Sequence, residues 1–251
     1  MPQRNILITG AAQRIGRVLA LSFAEAGWSV ALHYGTAEAD ARSLAGELVK
    51  FGVEAALLQA DLRDANAVKG LIPAANEALG PLQCLINNAA FFEWDDLDAA
   101  SADSFAAHMN TNLLAPLLLS QGFARQLPDN IQGNIINIAD QRVFNLRPEF
   151  LSYTLSKSGL WTLTQTMAME LAPNIRVNAI GPGPTLANTR QSAAQFKQQQ
   201  QSVPLGYGPT PEEIARATHF ILEASSMTGE FMALDGGQHL HSVGKGEDVH
   251  E

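Results

Sequence analysis

The amino-acid sequence predicts an α/β fold in a single domain, a doubly wound, seven-stranded parallel sheet flanked by helices. Three observations predict it. Seven short apolar runs alternate with six longer segments of helical period, the order of linked β–α–β units. The short runs are mostly continuous rather than alternating, as expected when both faces of a parallel sheet are covered. The length of 251 residues, with 46% hydrophobic and 16% charged, suits one domain with a sizeable core and not a disordered chain.

The expected strands are 5–9, 28–33, 53–59, 82–87, 134–138, 175–180 and 231–233, and the expected helices 14–26, 38–51, 65–78, 101–125, 151–171 and 211–223. The first strand runs directly into TGAAQRIG, residues 9–16, which opens the first helix. Gly10 permits a tight turn, and Gly16 lets the helix pack close to the sheet. The helix start then offers free N–H groups and the positive end of its dipole to a pyrophosphate. A glycine-rich turn between a first strand and a helix points to a Rossmann-type dinucleotide site.

The second strand ends in His33-Tyr34-Gly35-Thr36, with no acid until Glu38. An NAD site usually places an Asp or Glu there for the ribose 2′-hydroxyl. Arg14, within the glycine turn, could instead reach a 2′-phosphate, which a guanidinium recognises well. NADPH is therefore preferred over NAD, although a solvated residue at a helix start would look the same. After the third strand, Asp61 is placed either to accept from an adenine amino group or to cap the helix before Ala65. The fourth strand carries the single cysteine, Cys84, read as a buried thiol. That strand ends in NNAA, residues 87–90, whose small side chains let the strand end approach a cofactor.

Helix 101–125 carries Asn112, and Asp140 follows the fifth strand. On the next helix Tyr153 and Lys157 are spaced i, i+4 and share one face. An ammonium beside a phenol favours the phenolate and lowers the tyrosine pKa towards the range useful for proton transfer. Beyond the sixth strand the rhythm breaks over 184–208, the candidate for a mobile lid over a substrate; its glutamines 198–201 read as a solvated helix face. The domain runs over 1–240, and a polar tail follows at 241–251.

With these residues in view, the chain resembles the short-chain dehydrogenase/reductase family from Asn5 to about Leu240. The matching motifs are TGAAQRIG, NNAA, NTNLLAP with Asn112, YTLSK, RVNAIGPGPT and LDGG. The resemblance implies that Tyr153 donates a proton, that Lys157 lowers its pKa and holds the nicotinamide ribose, and that Asn112 orders a relay water. It also implies cofactor contacts at Gly10, Arg14, Ile15 and Gly16 in the turn, and at His33, Tyr34, Asp61 and Leu62 after the second and third strands. The remaining contacts it implies are at Asn88, Ala89 and Ala90, at Tyr153 and Lys157, and at Pro182, Gly183 and Thr185 after the sixth strand.

Two departures narrow the resemblance. Arg14 stands where the family usually has a glycine, and Asp140, thirteen residues before Tyr153, where it has a serine. An ionised carboxylate repels the oxyanion of a reduced carbonyl. Asp140 therefore suits a substrate protonated on nitrogen, or one that presents N–H donors. Both departures, with His33-Tyr34 and the LDGGQHL ending, resemble the pteridine reductase branch, which includes dihydromonapterin and dihydrofolate reductases. In that branch an aromatic side chain after NNA sandwiches the pterin against the nicotinamide, and Phe92 matches it better than Phe91. The substrate contacts implied are Phe92, Asp140 and Tyr153, and the reaction an NADPH-dependent reduction of a pterin C=N bond.

The other open readings are an NADP-dependent carbonyl reductase or alcohol dehydrogenase, and a non-catalytic NADPH-binding sensor. The charge balance, 16 Lys+Arg against 25 Asp+Glu for a net −9, argues against nucleic acid and anionic membranes as partners. No apolar stretch reaches the ~18 residues of a membrane span. A single cysteine leaves no disulfide framework and no cysteine-based zinc site, so no metal is expected. The expectation is a soluble cytoplasmic protein with a small-molecule substrate. The resemblance adds a homo-oligomer, a homotetramer paired through the long helices.

Overall fold

In the computed structural model, which describes residues 4–188 and 190–240, the seven apolar runs become seven strands. They are β1 (Arg4–Ile8), β2 (Trp28–Tyr34), β3 (Ala55–Gln59), β4 (Cys84–Asn87), β5 (Gly133–Ile138), β6 (Ile175–Pro182) and β7 (Phe231–Leu234). All pair in parallel, in the order β3-β2-β1-β4-β5-β6-β7. The direction of winding reverses between β1 and β4, and ligands of open α/β sheets bind beyond the strand ends at such a point. The expected tail, 241–251, and Thr189 of the expected lid lie outside the described residues.

Successive side chains of each strand point to opposite faces, so every strand must feed two cores. On one face Ile6, Ile8, Leu32, Ile136 and Ile180 meet Leu19 and Phe23 of α1 (Arg14–Glu25), Leu44 of α2 (Glu38–Leu48) and Ile214 of α8 (Pro211–Glu223). On the other, Leu7, Leu85, Ile135 and Val177 meet Leu71 of α3 (Ala65–Leu79), Phe123 of α5 (Ala115–Gln126) and Met167 of α6 (Leu151–Leu171). This two-sided burial is the reason the strands read as unbroken apolar runs. Cys84 is fully buried on β4, and burial pushes its thiol pKa up. Among the described residues no helix is long and apolar enough to cross a membrane.

Three differences from the sequence pattern have local causes. The helix expected over 38–51 tightens to a 3-10 turn at Val49–Phe51 and ends on Gly52 at φ 78°, a conformation glycine adopts without strain, so β3 begins only at Ala55. The helix expected over 101–125 is α4 (Ala102–Met109) joined to α5 by a π turn at Asn110–Leu114, the segment that carries Asn112. The expected lid contains a helix of its own, α7 (Ala193–Ser202), opened by a capping box of Ser192 and Gln195.

A buried amide chain ties the sheet to α6. Asn87 Nδ2 donates to Asn137 Oδ1 at 2.8 Å, and Asn137 Nδ2 donates to Thr164 Oγ1 at 2.8 Å. The two asparagines face each other in register on β4 and β5, and Asn137 is fully buried. Asn137→Ala strands the Asn87 amide in a dry core. It should destabilise the protein by about 1–3 kcal/mol in urea titration, and a loss within error of zero would mean the chain contributes nothing.

Candidate active site

A cleft of about 610 Å³ opens beyond the C-terminal ends of the strands. Its first wall is the glycine turn. Gly10 has φ +62°, and a Cβ there would lie 3.0 Å from Ala89 Cα; a Cβ on Gly16 would lie 2.1 Å from the Gly10 carbonyl oxygen. Both positions therefore require glycine. The turn is stitched to the end of β4: Thr9 Oγ1 accepts from the N–H groups of Asn88 (2.9 Å) and Ala89 (3.0 Å), and Asn88 Nδ2 donates to the Thr9 carbonyl at 2.8 Å. Helix α1 has no side-chain cap and no acid in its first turn, which leaves the positive end of its dipole facing the cleft.

Of the cofactor contacts expected from sequence, Gly10, Arg14, Ile15, Gly16, Asn88, Ala89, Ala90, Tyr153, Lys157, Pro182, Gly183 and Thr185 line this cleft; His33, Tyr34, Asp61 and Leu62 do not. His33 is buried within β2, where Nδ1 accepts from the Gly10 N–H at 3.1 Å and Nε2 donates to the Ala60 carbonyl at 3.2 Å. It positions the turn. Tyr34 and Leu62 are buried among apolar side chains. Asp61 is turned to Arg63, accepting from its backbone N–H at 2.9 Å and from its guanidinium at 2.6 Å, which holds its carboxyl below the usual range. The cap of α3 is Asp64.

Arg14 lines the cleft from the glycine turn. Its backbone is left-handed at φ 53°, the conformation a glycine would take without cost. Its guanidinium reaches across the cleft to the carbonyls of Ala187 (2.8 Å) and Leu186 (3.2 Å). It clamps the segment after β6.

The reacting end is built on α6 and the segment after β5. Tyr153 Oη donates to Asp140 Oδ2 at 2.8 Å, and Asp140 Oδ1 accepts from the Arg142 N–H at 2.9 Å. Burial pushes the Tyr153 phenol well above its ordinary pKa, the Asp140 carboxylate raises it further, and Arg142 opposes them. The sequence-based expectation of a lowered tyrosine pKa is thus reversed: the site holds a neutral phenol. Buried Lys157 donates to the Ile138 carbonyl at 2.7 Å, and desolvation lowers its pKa to about 8. Arg142, two residues after Asp140, brings a buried guanidinium to the cleft, 5.0 Å from the Phe150 ring centre. Composition and spacing carried no sign of it.

The Asn112 side chain is engaged on all sides within the protein. Its Oδ1 accepts from the Phe91 N–H at 2.7 Å, and its two amide hydrogens go to the Phe91 carbonyl (2.9 Å) and Ser156 Oγ (2.9 Å). It fastens the segment after β4 to α6. Phe92, next along, stacks on Phe150 at 4.5 Å and meets Tyr153 edge-on at 4.6 Å, whereas Phe91 turns to His108. Phe92 is the aromatic wall beside the tyrosine.

The start of α6 is capped from a distance. Phe150, at its N-cap, is left-handed at φ 59° and supplies no side-chain cap. The Asp95 carbonyl accepts from the N–H groups of Phe150 (2.7 Å) and Leu151 (3.4 Å), and Asp95 Oδ1 accepts from the Ser152 N–H at 3.1 Å. No sequence motif pointed to Asp95.

Two outcomes follow. Burial lowers the His33 pKa from 6.5 to about 4, so its neutral form stabilises the fold above about pH 6.5, and that contribution disappears as pH falls towards 4. Wild type should lose on the order of 3 kcal/mol more than His33→Gln between pH 7 and pH 4 in denaturant titrations; parallel losses would remove His33 from the balance. Asp95→Ala should cost about 1–2 kcal/mol of stability and lower kcat roughly tenfold or more through displacement of Tyr153. Asp95→Asn, which keeps an oxygen acceptor, should retain most of both, and equal loss in the two variants would contradict a capping role.

A family model described as enoyl-(acyl carrier protein) reductase matches residues 10–239. Among solved structures, the FolM alternative dihydrofolate reductase 1 of Brucella canis, complexed with NADP, superposes with a TM-score of 0.91 at 38% identity over 96% of each chain. The Brucella suis protein of the same description, also with NADP, gives 0.90 at 38% identity over 96% of this chain and 98% of that one. A probable 2,4-dienoyl-CoA reductase of Bacillus subtilis is 32% identical over 96% of this chain and 98% of its own length. These matches span nearly the whole chain, and with the glycine turn and the Tyr153–Lys157 helix they establish that it belongs to the short-chain dehydrogenase/reductase family of oxidoreductases.

Proposed function

We propose that the protein is an NADPH-dependent reductase of a C=N bond in a pterin-type substrate. The observation that carries the reading is Asp140, a carboxylate standing where a carbonyl reductase needs a hydroxyl and taking the hydrogen bond of Tyr153. The two Brucella structures similar to this chain hold NADP, which supports the cofactor. The residues present fit it: a turn with no room for a Cβ at Gly10 or Gly16, an uncapped helix start and Arg14 suit a pyrophosphate, and Lys157 suits the ribose beside the reacting carbon.

NADPH, when bound, supplies the hydride that adds to the ring carbon of the C=N bond. The chain supplies the proton and the orientation. Tyr153 keeps its proton as a buried phenol and passes it to the ring nitrogen, directly or through ordered water. Asp140 accepts the N–H donors of the substrate and favours positive charge on the nitrogen as it is protonated. Arg142 offsets the Asp140 charge, and Phe92 offers the flat surface on which the ring stacks.

Asp140→Ala and Tyr153→Phe should each lower NADPH oxidation by about a hundredfold or more with whichever of dihydrobiopterin, dihydromonapterin or dihydrofolate the wild type turns over. A wild type that ignores all three would refute the pterin reading; turnover of ketones would then favour a carbonyl reductase, and turnover of enoyl thioesters the activity named for the Bacillus subtilis relative.

A further inference from the structure

We infer that Arg190 forms an anion subsite at the outer end of the cleft, and that it takes a carboxylate carried by the substrate, with Glu93 as its internal placeholder. This rests on the pterin reading and adds a substrate class to it: pterins with an acidic substituent over neutral ones. Among the described residues the cleft wall carries four cationic side chains (Arg14, Arg142, Lys157 and Arg190) against two acids (Glu93 and Asp140), in a chain of net charge −9. The excess is local to the cleft and calls for an anionic ligand. Phosphates account for the end at the glycine turn. Arg190 lies at the other end, its guanidinium carbon 5.4 Å from the ring centre of Phe92 and 5.9 Å from that of Phe150.

The present partner of Arg190 is well suited to be displaced. Its Nη1 donates to Glu93 Oε2 at 2.6 Å and its Nη2 to the Phe92 carbonyl at 3.2 Å. The Glu93 side chain is 57% exposed and that of Arg190 35%. Pairs this exposed contribute little net stability, so one carboxylate can replace another at small cost. The planar fork of the guanidinium matches a carboxylate geometrically. A ring stacked on Phe92 beside Tyr153 would carry its substituent past this guanidinium. The glutamyl carboxylates of dihydrofolate fit that description, and the neutral side chain of dihydrobiopterin does not.

The experiment compares dihydrofolate with dihydrobiopterin in steady state, at low and moderate salt, for wild type, Arg190→Gln, Arg190→Lys and Glu93→Gln, with binding of dihydrofolate followed by fluorescence quenching. In wild type the KM for dihydrofolate should rise with salt and that for dihydrobiopterin should not. Arg190→Gln should raise the ratio of the two KM values, and the dihydrofolate dissociation constant, about tenfold with little change in the kcat ratio. Arg190→Lys should recover part of this, and Glu93→Gln, which frees the arginine, should tighten dihydrofolate a few-fold. An equal rise for both substrates in Arg190→Gln, or no rise in either, overturns the subsite alone. A wild type that reduces dihydromonapterin but neither of these two overturns the subsite alone, and one that reduces none of the three overturns the pterin reading and the subsite with it.

Discussion

The N–H groups at the start of α6 need acceptors, and Phe150, the residue in the capping position, has none to offer. Asp95 meets that need with its carbonyl and its carboxylate, from a segment 55 positions earlier in the chain. Much of the site depends on this one constraint. The segment that brings Asp95 to the helix must run along the cleft, so Phe92 ends up against Phe150 and Tyr153, and Phe91 within reach of both hydrogen-bonding ends of Asn112. The π turn at Asn110–Leu114 carries Asn112 at this junction, where it also reaches Ser156. The segment after β4, the π turn and α6 are thereby one hydrogen-bonded unit.

The electrostatics of that unit differ from what a tyrosine and a lysine one turn apart imply. In water an ammonium would draw a phenol towards ionisation. Here the phenol is buried, its hydrogen bond goes to a carboxylate, and both effects hold the proton on oxygen. The lysine is directed at the Ile138 carbonyl, and desolvation weakens its own hold on a proton. Arg142 supplies the compensating positive charge. The result is a phenol that keeps its proton, beside a carboxylate able to stabilise positive charge.

Two arginines cross the cleft from opposite sides. Arg14 leaves the glycine turn to hold the carbonyls of Leu186 and Ala187, and Arg190 leaves the segment after β6 to hold Glu93 and the Phe92 carbonyl. The segment expected as a lid is thus fastened at both ends of the cleft by exposed, exchangeable bonds. Side chains of this kind can yield to a ligand's own anions without disturbing the core.

The sequence by itself determined the layered fold, the glycine turn, the shared face of Tyr153 and Lys157 and the anomaly at Asp140. Each rests on short-range rules: apolar periodicity, the steric need for glycine, the pitch of a helix. It left undecided whatever depends on which distant groups meet. His33, in β2, and Asp61, just after β3, both sit near strand ends, yet one is used by Gly10 and Ala60 and the other by Arg63. Arg142, Asp95 and Arg190 carry no motif, because their roles are set by burial and by partners far away in the chain. Only the tertiary structure decided these. A hydrogen bond or a charge interaction acts through space, and its strength follows the surrounding dielectric, which the order of residues does not state.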